Sequence, residues 1–369
     1  MAGGLIVILG IISMVMIHEG GHFVAAKAVG MKATEFFFGF GPRIWSTQRG
    51  ETEYGVKAIP LGGYVRIVGM NPYEEVDPGD FGRTYREKPF WAKSVVVLAG
   101  VASHFVVAFL LFFVVATAFG VSVSTTVVAE VQPTLTDGSP TPAVLAGVQA
   151  GDRIVAIAGV AVEEWAEVVE VIAAHPGETV PLVVERDGMV STLEAPLASL
   201  DDGAGGSRGY LGVSAAFVTD RAGPIEGLGD AGAAVGEATV ASLSGLWRMI
   251  TGFGGLVEAV VTGDADSIGD TRPASPIGLV QIGAQTADYG FGFTLQLVAL
   301  VNVFVGVFNV IPIYPLDGGH FAVALYEKLR GRPADVRKLA PVAAVVVVFL
   351  VLLGVLAIYL DISSPLSLR

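Results

Sequence analysis

The chain has 369 residues, of which 53% are hydrophobic and only 15% are charged, and its mean hydropathy is +0.65. A soluble domain carries about 25% charged residues, so this composition predicts an integral membrane protein with a soluble insert. The formal net charge of −13 argues against nucleic acid as a partner, and the absence of cysteine excludes disulfides and leaves histidine and carboxylate as metal ligands.

The sequence predicts four membrane-spanning helices. They are expected at Gly4–Ala26, Ser94–Phe119, Phe293–Ile311 and Leu339–Leu360, which are long and apolar enough to cross a bilayer. With the segments between them, the chain divides into 1–26, 27–93, 94–119, 127–198, 220–292, 293–320 and 339–360. A cleaved signal peptide is the alternative for the first span, but that segment lacks a basic start and a convincing cleavage site.

Basic residues are concentrated in two of the loops between the spans. Segment 27–93 holds ten of them and segment 312–338 holds five, whereas 121–292 holds six against more than twenty acids. The positive-inside rule then places the two basic loops in the cytoplasm and places both termini and the acidic segment outside. We therefore expect a multi-pass membrane protein with an extracytoplasmic domain.

The first span carries the most informative motif, a His-Glu-x-x-His formed by His18, Glu19 and His22. Residues four apart share a helix face, so both imidazoles can bind one Zn²⁺, and Glu19 between them can act as general base on a zinc-bound water. Two histidines and a glutamate at membrane depth are costly unless they have a function. The motif therefore predicts a catalytic zinc site inside the membrane.

Segment 27–93 alternates short aromatic or apolar runs with glycine and proline, which predicts β-hairpins. The runs are Thr34–Arg43, Glu53–Pro60 and Leu61–Ile67. Aromatic residues this dense beside a membrane site indicate a sheet that dips into the membrane interface, and we expect Gly62, Gly63 and Tyr64 to contact the substrate. A plain cytoplasmic hairpin is the alternative.

The second span contains His104, which is a candidate either for a hydrogen bond to the substrate backbone or for structural packing. Residues 127–198 then predict a compact β-rich module, with a helix at Trp165–His175 and a hairpin turn at Asp187-Gly188. Asp201–Ser207 has the composition of a flexible loop. Segment 220–292 is amphipathic and is expected on the outer membrane surface or against the third span, with a simple linker helix as the alternative.

The third span ends in polar, proline and glycine residues that can complete the metal site. The charge pattern makes the first and third spans run in the same direction, so Asp317 falls at the depth of the two histidines and can be the third zinc ligand. An N-cap of the following helix is the alternative for Asp317. Asn309 can hold a substrate carbonyl or tie the kinked helix together, and His320 can support a ligand or be an interior polar group.

Taken together, these motifs resemble the site-2 protease family of intramembrane zinc metalloproteases, and most of all its bacterial branch, typified by the regulator of sigma-E protease. The resemblance covers nearly the whole chain. Besides the His-Glu-x-x-His, it rests on Phe38–Pro42, Ile59–Val65, Gly151–Ile154, Ser275–Gly278 and Asn309–His320. The Gly151–Ile154 run is similar to the signature of a PDZ domain.

The resemblance implies a multi-pass α-helical protein of the bacterial inner membrane. Such a protein has four transmembrane helices, a membrane-associated β-hairpin region and an extracytoplasmic, β-rich PDZ-like domain that binds peptide or substrate. The resemblance also implies Zn²⁺ as cofactor and regulated intramembrane proteolysis, in which single-span substrates such as anti-sigma factors are cut within the bilayer. The chain departs from the family in three ways: Val101 and His104 replace the usual Pro and Asn, Tyr314 delays a proline by one residue, and only one PDZ-like module is present.

Two other functions fit parts of the sequence. A catalytically silent, membrane-anchored PDZ scaffold needs no general base, so the intact Glu19 argues against it, and a zinc assay separates the two. A metal transporter needs ionisable residues along a path through the bilayer, and the other spans offer few.

Overall fold

The computed structural model describes residues 2–71, 73–201, 206–255, 272–286 and 290–364. These residues form two compact units. The first combines Met1–Phe119 with Ala222–Arg369, and the second is Gly120–Arg221.

The helices of the first unit follow the predicted order of spans. They are α1 Ala2–Ala28, α2 Phe90–Val114, α5 Pro224–Thr251, α6 Pro276–Thr286, α7 Phe291–Val310, α8 Asp317–Arg330 and α9 Ala340–Ser363. Four of the described helical segments are long and apolar enough to cross a membrane. These are Ala2–Ala28, Phe90–Phe119, Phe291–Val310 and Arg337–Ser363. The bounds differ from the predicted spans by two to four residues at most ends, because apolar composition marks the bilayer core and not the helix termini.

Segment 27–93 folds into two long strands instead of several short ones. Strand β1 covers Ala33–Arg49 and β2 covers Thr52–Ile67. Both strands bend, so Phe36 pairs with Val65 on one side and with Tyr54 on the other. The first part of β1 is therefore central in its sheet, and the last residues of β2 form one edge, beside α1.

Helix α5 packs lengthwise against two of the spans. Its Ala231, Ala238 and Leu246 join an apolar cluster with Phe112 of α2 and Val303 of α7. These contacts agree with the expected packing on the third span. Residues 256–271 and 287–289 of this segment lie outside the described part of the chain.

The third span ends earlier than predicted. Helix α7 stops at Val310, and α8 begins at Asp317, so the run up to His320 belongs to a separate helix and not to the span 293–320. Pro312 and Pro315 lie between the two helices, where a missing backbone N–H is tolerated. The N-cap of α8 is Leu316, so the alternative of Asp317 as N-cap is wrong.

The second unit is a β-rich module that is larger than the predicted 127–198. Its strands are β3 Val121–Val131, β4 Arg153–Ile157, β5 Val160–Ala161, β6 Thr179–Arg186, β7 Met189–Pro196, β8 Ala198–Asp201, β9 Ser207–Tyr210 and β10 Val213–Asp220. Short helix α3 is Pro142–Ala146, and α4, Trp165–Ala173, lies where a helix was expected. The main sheet has the order β10-β3-β4-β6-β7. The module extends to Asp220 because β10 pairs with β3, a contact between distant parts of the sequence.

The module has its own apolar core and one buried ion pair. Ile154, Leu182 and Val184 are fully buried in that core. Asp152 is also fully buried; its Oδ1 accepts a hydrogen bond from Arg186 Nε at 2.6 Å, and its Oδ2 accepts one from the Gln149 N–H at 2.8 Å. These bonds hold the pKa of the Asp152 carboxyl below its usual range. Of the predicted loop 201–207, residues 202–205 lie outside the described residues.

Candidate metal centre and active site

Close packing of α1 against α2 sets the position of the motif histidines. A Cβ atom on Gly100 would lie 2.2 Å from His22 Nε2, and one on Gly21 would lie 2.6 Å from the carbonyl oxygen of Ala99. Both distances are far below van der Waals contact, so any larger residue would push the helices apart. Glycine at these two positions brings the His22 ring directly against the backbone of α2.

The tautomer of His22 follows from its hydrogen bond. Its Nδ1 lies 2.8 Å from the carbonyl oxygen of Val96, which can only accept, so Nδ1 carries the proton. The other nitrogen, Nε2, is therefore left with a free lone pair. A backbone carbonyl in this role is the usual partner of a metal-binding histidine, because it fixes the ring orientation.

Three donor atoms from two helices converge at one point. His18 Nε2 and His22 Nε2 are 3.2 Å apart, and Asp317 Oδ2 lies 3.4 Å from each of them. All three side chains are largely buried. They are a group of histidine and carboxylate residues whose donor atoms are close enough to share one metal ion.

Asp317 reaches this point because two glycines follow it. A Cβ atom on Gly318 would lie 2.0 Å from the carbonyl oxygen of Val310, and one on Gly319 would lie 2.4 Å from the backbone nitrogen of Tyr314. The first turn of α8 is thus folded tightly onto the end of α7. Asp317 Oδ2 is buried and, among the described residues, accepts no hydrogen bond. A buried carboxylate oxygen without a donor is costly unless a cation satisfies it.

Glu19 lies beside this group without joining it. Its Oε2 accepts a hydrogen bond from the backbone N–H of Val65 at 2.9 Å, at the edge of β2. Gly63 is also close, since a Cβ atom there would lie 3.7 Å from Glu19 Cγ and 2.9 Å from Met16 Sδ. The edge strand and the carboxylate are therefore linked directly, which the sequence spacing did not indicate.

His104 is positioned behind His18. The two rings stack with their centroids 4.8 Å apart, and His104 Nδ1 lies 3.5 Å from Asn302 Oδ1. The side chains of His104 and Asn302 are both buried. Asn302 was missed by the sequence analysis, which considered Asn309 instead; a polar side chain in the middle of the third span was the signal that could have identified it.

A cleft of about 930 Å³ lies beside the edge strand, and two of the other expected site residues line it. These are Tyr64 and His320; the His320 ring is tilted by 57° against the Tyr314 ring, with their centroids 4.8 Å apart. The Tyr64 hydroxyl is already engaged, because it donates to Glu35 and accepts from Lys57. Gly62 has a φ of +134°, which favours glycine.

Among the described residues, the group of side chains that could hold a metal ion does not include His320. Asn309 is half-buried in the last turn of α7.

Comparison with known proteins agrees with this geometry. Residues 6–353 match the model of peptidase family M50. The chain belongs to that family. The zinc metalloprotease Rip1 of Mycobacterium tuberculosis is 33% identical over 395 residues, covering 98% of this chain and 97% of the relative. Rip1 of Mycolicibacterium smegmatis is 34% identical over 397 residues, with the same coverage.

A putative zinc metalloprotease of Nostoc is 30% identical over 351 residues, which is 94% of this chain and 92% of the relative. The predictions of the family, of a metalloprotease and of zinc as its cofactor are thereby confirmed. The PDZ domain of an SdrC-like protein from Listeria monocytogenes is 21% identical and covers 25% of this chain and 85% of that domain. Its TM-score of 0.19 is too low to assign the fold of the β-rich module.

Proposed function

We propose that this M50 metalloprotease holds one zinc ion through His18, His22 and Asp317 and cleaves membrane-spanning segments of other proteins. The observation that carries the proposal is the spacing of the three donor atoms, 3.2, 3.4 and 3.4 Å. Tetrahedral zinc with bonds of 2.0–2.1 Å places its ligand atoms about 3.3 Å apart. The residues present therefore fit the metal in number, donor type and separation, and they leave one coordination position for water or substrate.

When bound, zinc lowers the pKa of a coordinated water and polarises the scissile carbonyl. Glu19 is the general base: its Oε2 is held by the Val65 N–H, and we assign Oε1 to the proton of the attacking water. The same carboxyl then gives that proton to the leaving amine, so the peptide bond is replaced by an acid and an amine. His22 contributes an Nε2 lone pair that is fixed by its bond to Val96.

The test of this mechanism separates metal binding from proton transfer. In Glu19→Gln, the amide oxygen can still accept the hydrogen bond from the Val65 N–H, but the side chain cannot take a proton. We expect about one equivalent of zinc in the purified variant and cleavage of a co-expressed single-span substrate lowered by several orders of magnitude. Cleavage within about tenfold of wild type would exclude Glu19 as the base.

The substrate must be extended to be cut, because a helix shields its own peptide bonds. We propose that the edge of β2 at Tyr64–Ile67 pairs with an unwound substrate segment and satisfies its backbone groups. This edge lines the cleft of about 930 Å³, and it also holds Glu19, so a strand added there lies beside the base. Substrates with a central Gly-Pro pair should then be cleaved faster than matched helical substrates.

The absence of native cysteine makes cross-linking the sharpest test of this strand pairing. Arg66→Cys, in an inactive Glu19→Gln background, should form disulfides with cysteines at alternate substrate positions, because side chains of a strand alternate in direction. Arg49→Cys, at the turn end of β1, is the matched control and should give none. Cross-links with a helical period of three to four would contradict strand addition. A proline at Val65 is unsuitable, since that amide already donates to Glu19.

We further propose that the β-rich module is a PDZ-like domain outside the cytoplasm that selects substrates and performs no chemistry. The concentration of lysine and arginine in segments 27–93 and 312–338 supports this side of the membrane for the module. The module can be excised cleanly, because its ends are adjacent: a Cβ atom on Gly120 would lie 2.6 Å from the carbonyl oxygen of Asp220.

Replacing Val121–Asp220 with a short Gly-Ser linker should preserve zinc and cleavage of a pre-trimmed substrate, while untrimmed substrates become cleavable. If the excised protein binds zinc but cannot cut even short substrates, the module positions the substrate instead of selecting it. The substrate class that we propose is the anti-sigma factor type in a bacterial inner membrane, and co-expression with single-span anti-sigma factors of the source organism tests it.

A further inference from the structure

A second polar pocket lies away from the metal centre, between the beginning of α2 and the end of α8. It has a volume of about 280 Å³. Its charged lining consists of five cations and one carboxylate: Arg86, Lys88, Lys93, Lys328, Arg332 and Glu327. These cations come from the two basic segments that the positive-inside rule accounts for, but the sequence did not predict that they converge on one pocket.

Neighbouring groups neutralise only part of that charge. Lys93 Nζ donates to Glu327 at 2.6 Å, which cancels both charges. The Arg86 guanidinium donates to the carbonyl oxygens of Gly69 and Asn71. These carbonyls satisfy its donors but leave its charge in place. Within the described part of the chain, three further cations also form no ion pair: they are Lys88, Lys328 and Arg332.

The two helix ends at the pocket add opposite partial charges. Helix α2 begins here without a side-chain cap and without an acid in its first turn, so its N-terminus contributes roughly half a positive charge. Helix α8 ends at Arg330 with roughly half a negative charge, which cancels it. Arg86 and the three unpaired cations therefore set the potential of the pocket, and that potential suits an anion.

The surroundings of the pocket indicate an anion attached to the membrane. Trp91, Val95 and Leu98 follow each other at helical spacing on α2 and are 60%, 44% and 45% exposed. Trp91 stands at the beginning of this candidate span, where tryptophan marks the lipid–water boundary. Lys328 lies over the Phe90 ring, with Nζ 4.7 Å from its centroid. The pocket therefore lies at the membrane end of a span that begins with a boundary tryptophan and exposes apolar side chains.

We propose that this pocket binds the phosphate of an anionic phospholipid, with Arg332 and the two lysines on the headgroup and the acyl chains in the adjoining bilayer. Arginine can take phosphate oxygens in a bidentate way, and lysine contributes a point charge. Basic pockets beside membrane helices bind anionic headgroups by this chemistry. The site is independent of the metal centre, because none of its residues contributes to the zinc group.

The test uses the full-length protein in neutral detergent, titrated with dioleoylphosphatidylglycerol or dioleoylphosphatidylcholine and followed by native mass spectrometry. We expect wild type to retain one phosphatidylglycerol at least tenfold more tightly than phosphatidylcholine. The double substitution Lys88→Gln with Arg332→Gln should weaken phosphatidylglycerol at least fivefold and leave phosphatidylcholine unchanged. The matched control, Arg49→Gln with Lys338→Gln, removes two charges from the same basic segments outside the pocket and should change neither.

Zinc content is measured on every variant and shows that the fold is intact. Three outcomes overturn the proposal: equal binding of the two lipids by wild type, equal loss in the pocket variant and its control, or displacement of the lipid by millimolar inorganic phosphate. The last result would make the pocket a site for free phosphate. We expect Glu19→Gln to lose proteolysis and to retain the lipid as wild type does. A failure of the lipid proposal can therefore be distinguished from a failure of the proposed protease mechanism.

Discussion

The metal centre and the core of the β-rich module both bury charged groups, but they satisfy them differently. In the module, the Asp152 carboxylate is fully buried and accepts bonds from Arg186 and from a backbone amide. In the helical unit, buried Asp317 Oδ2 accepts none from the described residues, although two imidazole nitrogens lie 3.4 Å away. One region completes its own hydrogen bonds, and the other has a buried carboxylate oxygen that accepts none from the described residues.

The two carboxylates differ in whether the protein alone satisfies them, and this distinguishes a group that stabilises the fold from a group that binds a ligand. A carboxylate that has its partners within the protein stabilises a single fold, whereas one without a donor is destabilising until a ligand binds. At the metal centre, a Cβ atom on Gly100 would lie 2.2 Å from His22 Nε2, and one on Gly318 would lie 2.0 Å from the carbonyl oxygen of Val310. Small changes at these two glycines are therefore expected to disturb the metal-binding side chains directly.

The largest expected effect is loss of the metal from the incomplete group. His22→Ala removes an imidazole and Asp317→Ala removes the carboxylate, and each leaves only two ligands. We expect the purified variants to contain less than about a tenth of an equivalent of zinc and to have no measurable proteolysis. Metal analysis with a wild-type control measures this. Retention of a full equivalent by both variants would rule out the proposed ligand set.

A second, smaller effect tests whether glycine packing holds the ligands in place. Gly100→Ala inserts a methyl group 2.2 Å from His22 Nε2 and should displace the ring, lowering zinc affinity by about 10- to 100-fold. Gly20→Ala is the matched control, because a Cβ atom there has no neighbour within 4 Å. That control should bind zinc normally and stabilise α1 by up to about 1 kcal/mol. Equal zinc affinity in both variants would show that the close approach is not needed.

The sequence predicted the parts of the site that depend on local spacing. His18, Glu19 and His22 share one face because of their positions on a single helix, and Asp317 was placed by the direction of two spans. Contacts between remote segments were not predictable: the Glu19 bond to Val65 depends on how the hairpin bends, and the pairing of His104 with Asn302 depends on the packing of α2 against α7. The β10 strand was missed for the same reason, since its partner β3 lies about 90 residues earlier in the chain.

The third prediction concerns the module, where a substitution removes the charge of the Asp152 carboxylate that accepts bonds from Arg186 and Gln149. Asp152→Asn keeps the size of the side chain but removes its charge and points an amide group toward Arg186. We expect the module to lose about 1–3 kcal/mol of stability, while zinc content is unchanged. Asp187→Asn, in the β6–β7 turn at φ +51°, is the control, since Asn tolerates that conformation. Hydrogen exchange of β4 and β6 in the full-length protein measures the difference.

The smallest effect expected is a dependence of module stability on acid. Bonds from Arg186 lower the pKa of Asp152 in the folded state, so the carboxylate stabilises the fold fully at pH values above its unfolded pKa of about 3.9. This contribution is lost as the pH falls through the lower, folded pKa. The urea midpoint of the module should therefore decrease between pH 5 and pH 3, and Asp152→Asn should remove that part of the decrease.

Trp165, which packs against the module core, can report this transition by fluorescence once the other three tryptophans are replaced by phenylalanine. The comparison is between the two pH profiles and not between the midpoints themselves, because Asp152→Asn lowers the midpoint at every pH. Parallel profiles for wild type and Asp152→Asn would mean that other carboxylates cause the acid sensitivity. In that case the bond to Arg186 would stabilise the carboxylate no more in the folded module than water does in the unfolded chain.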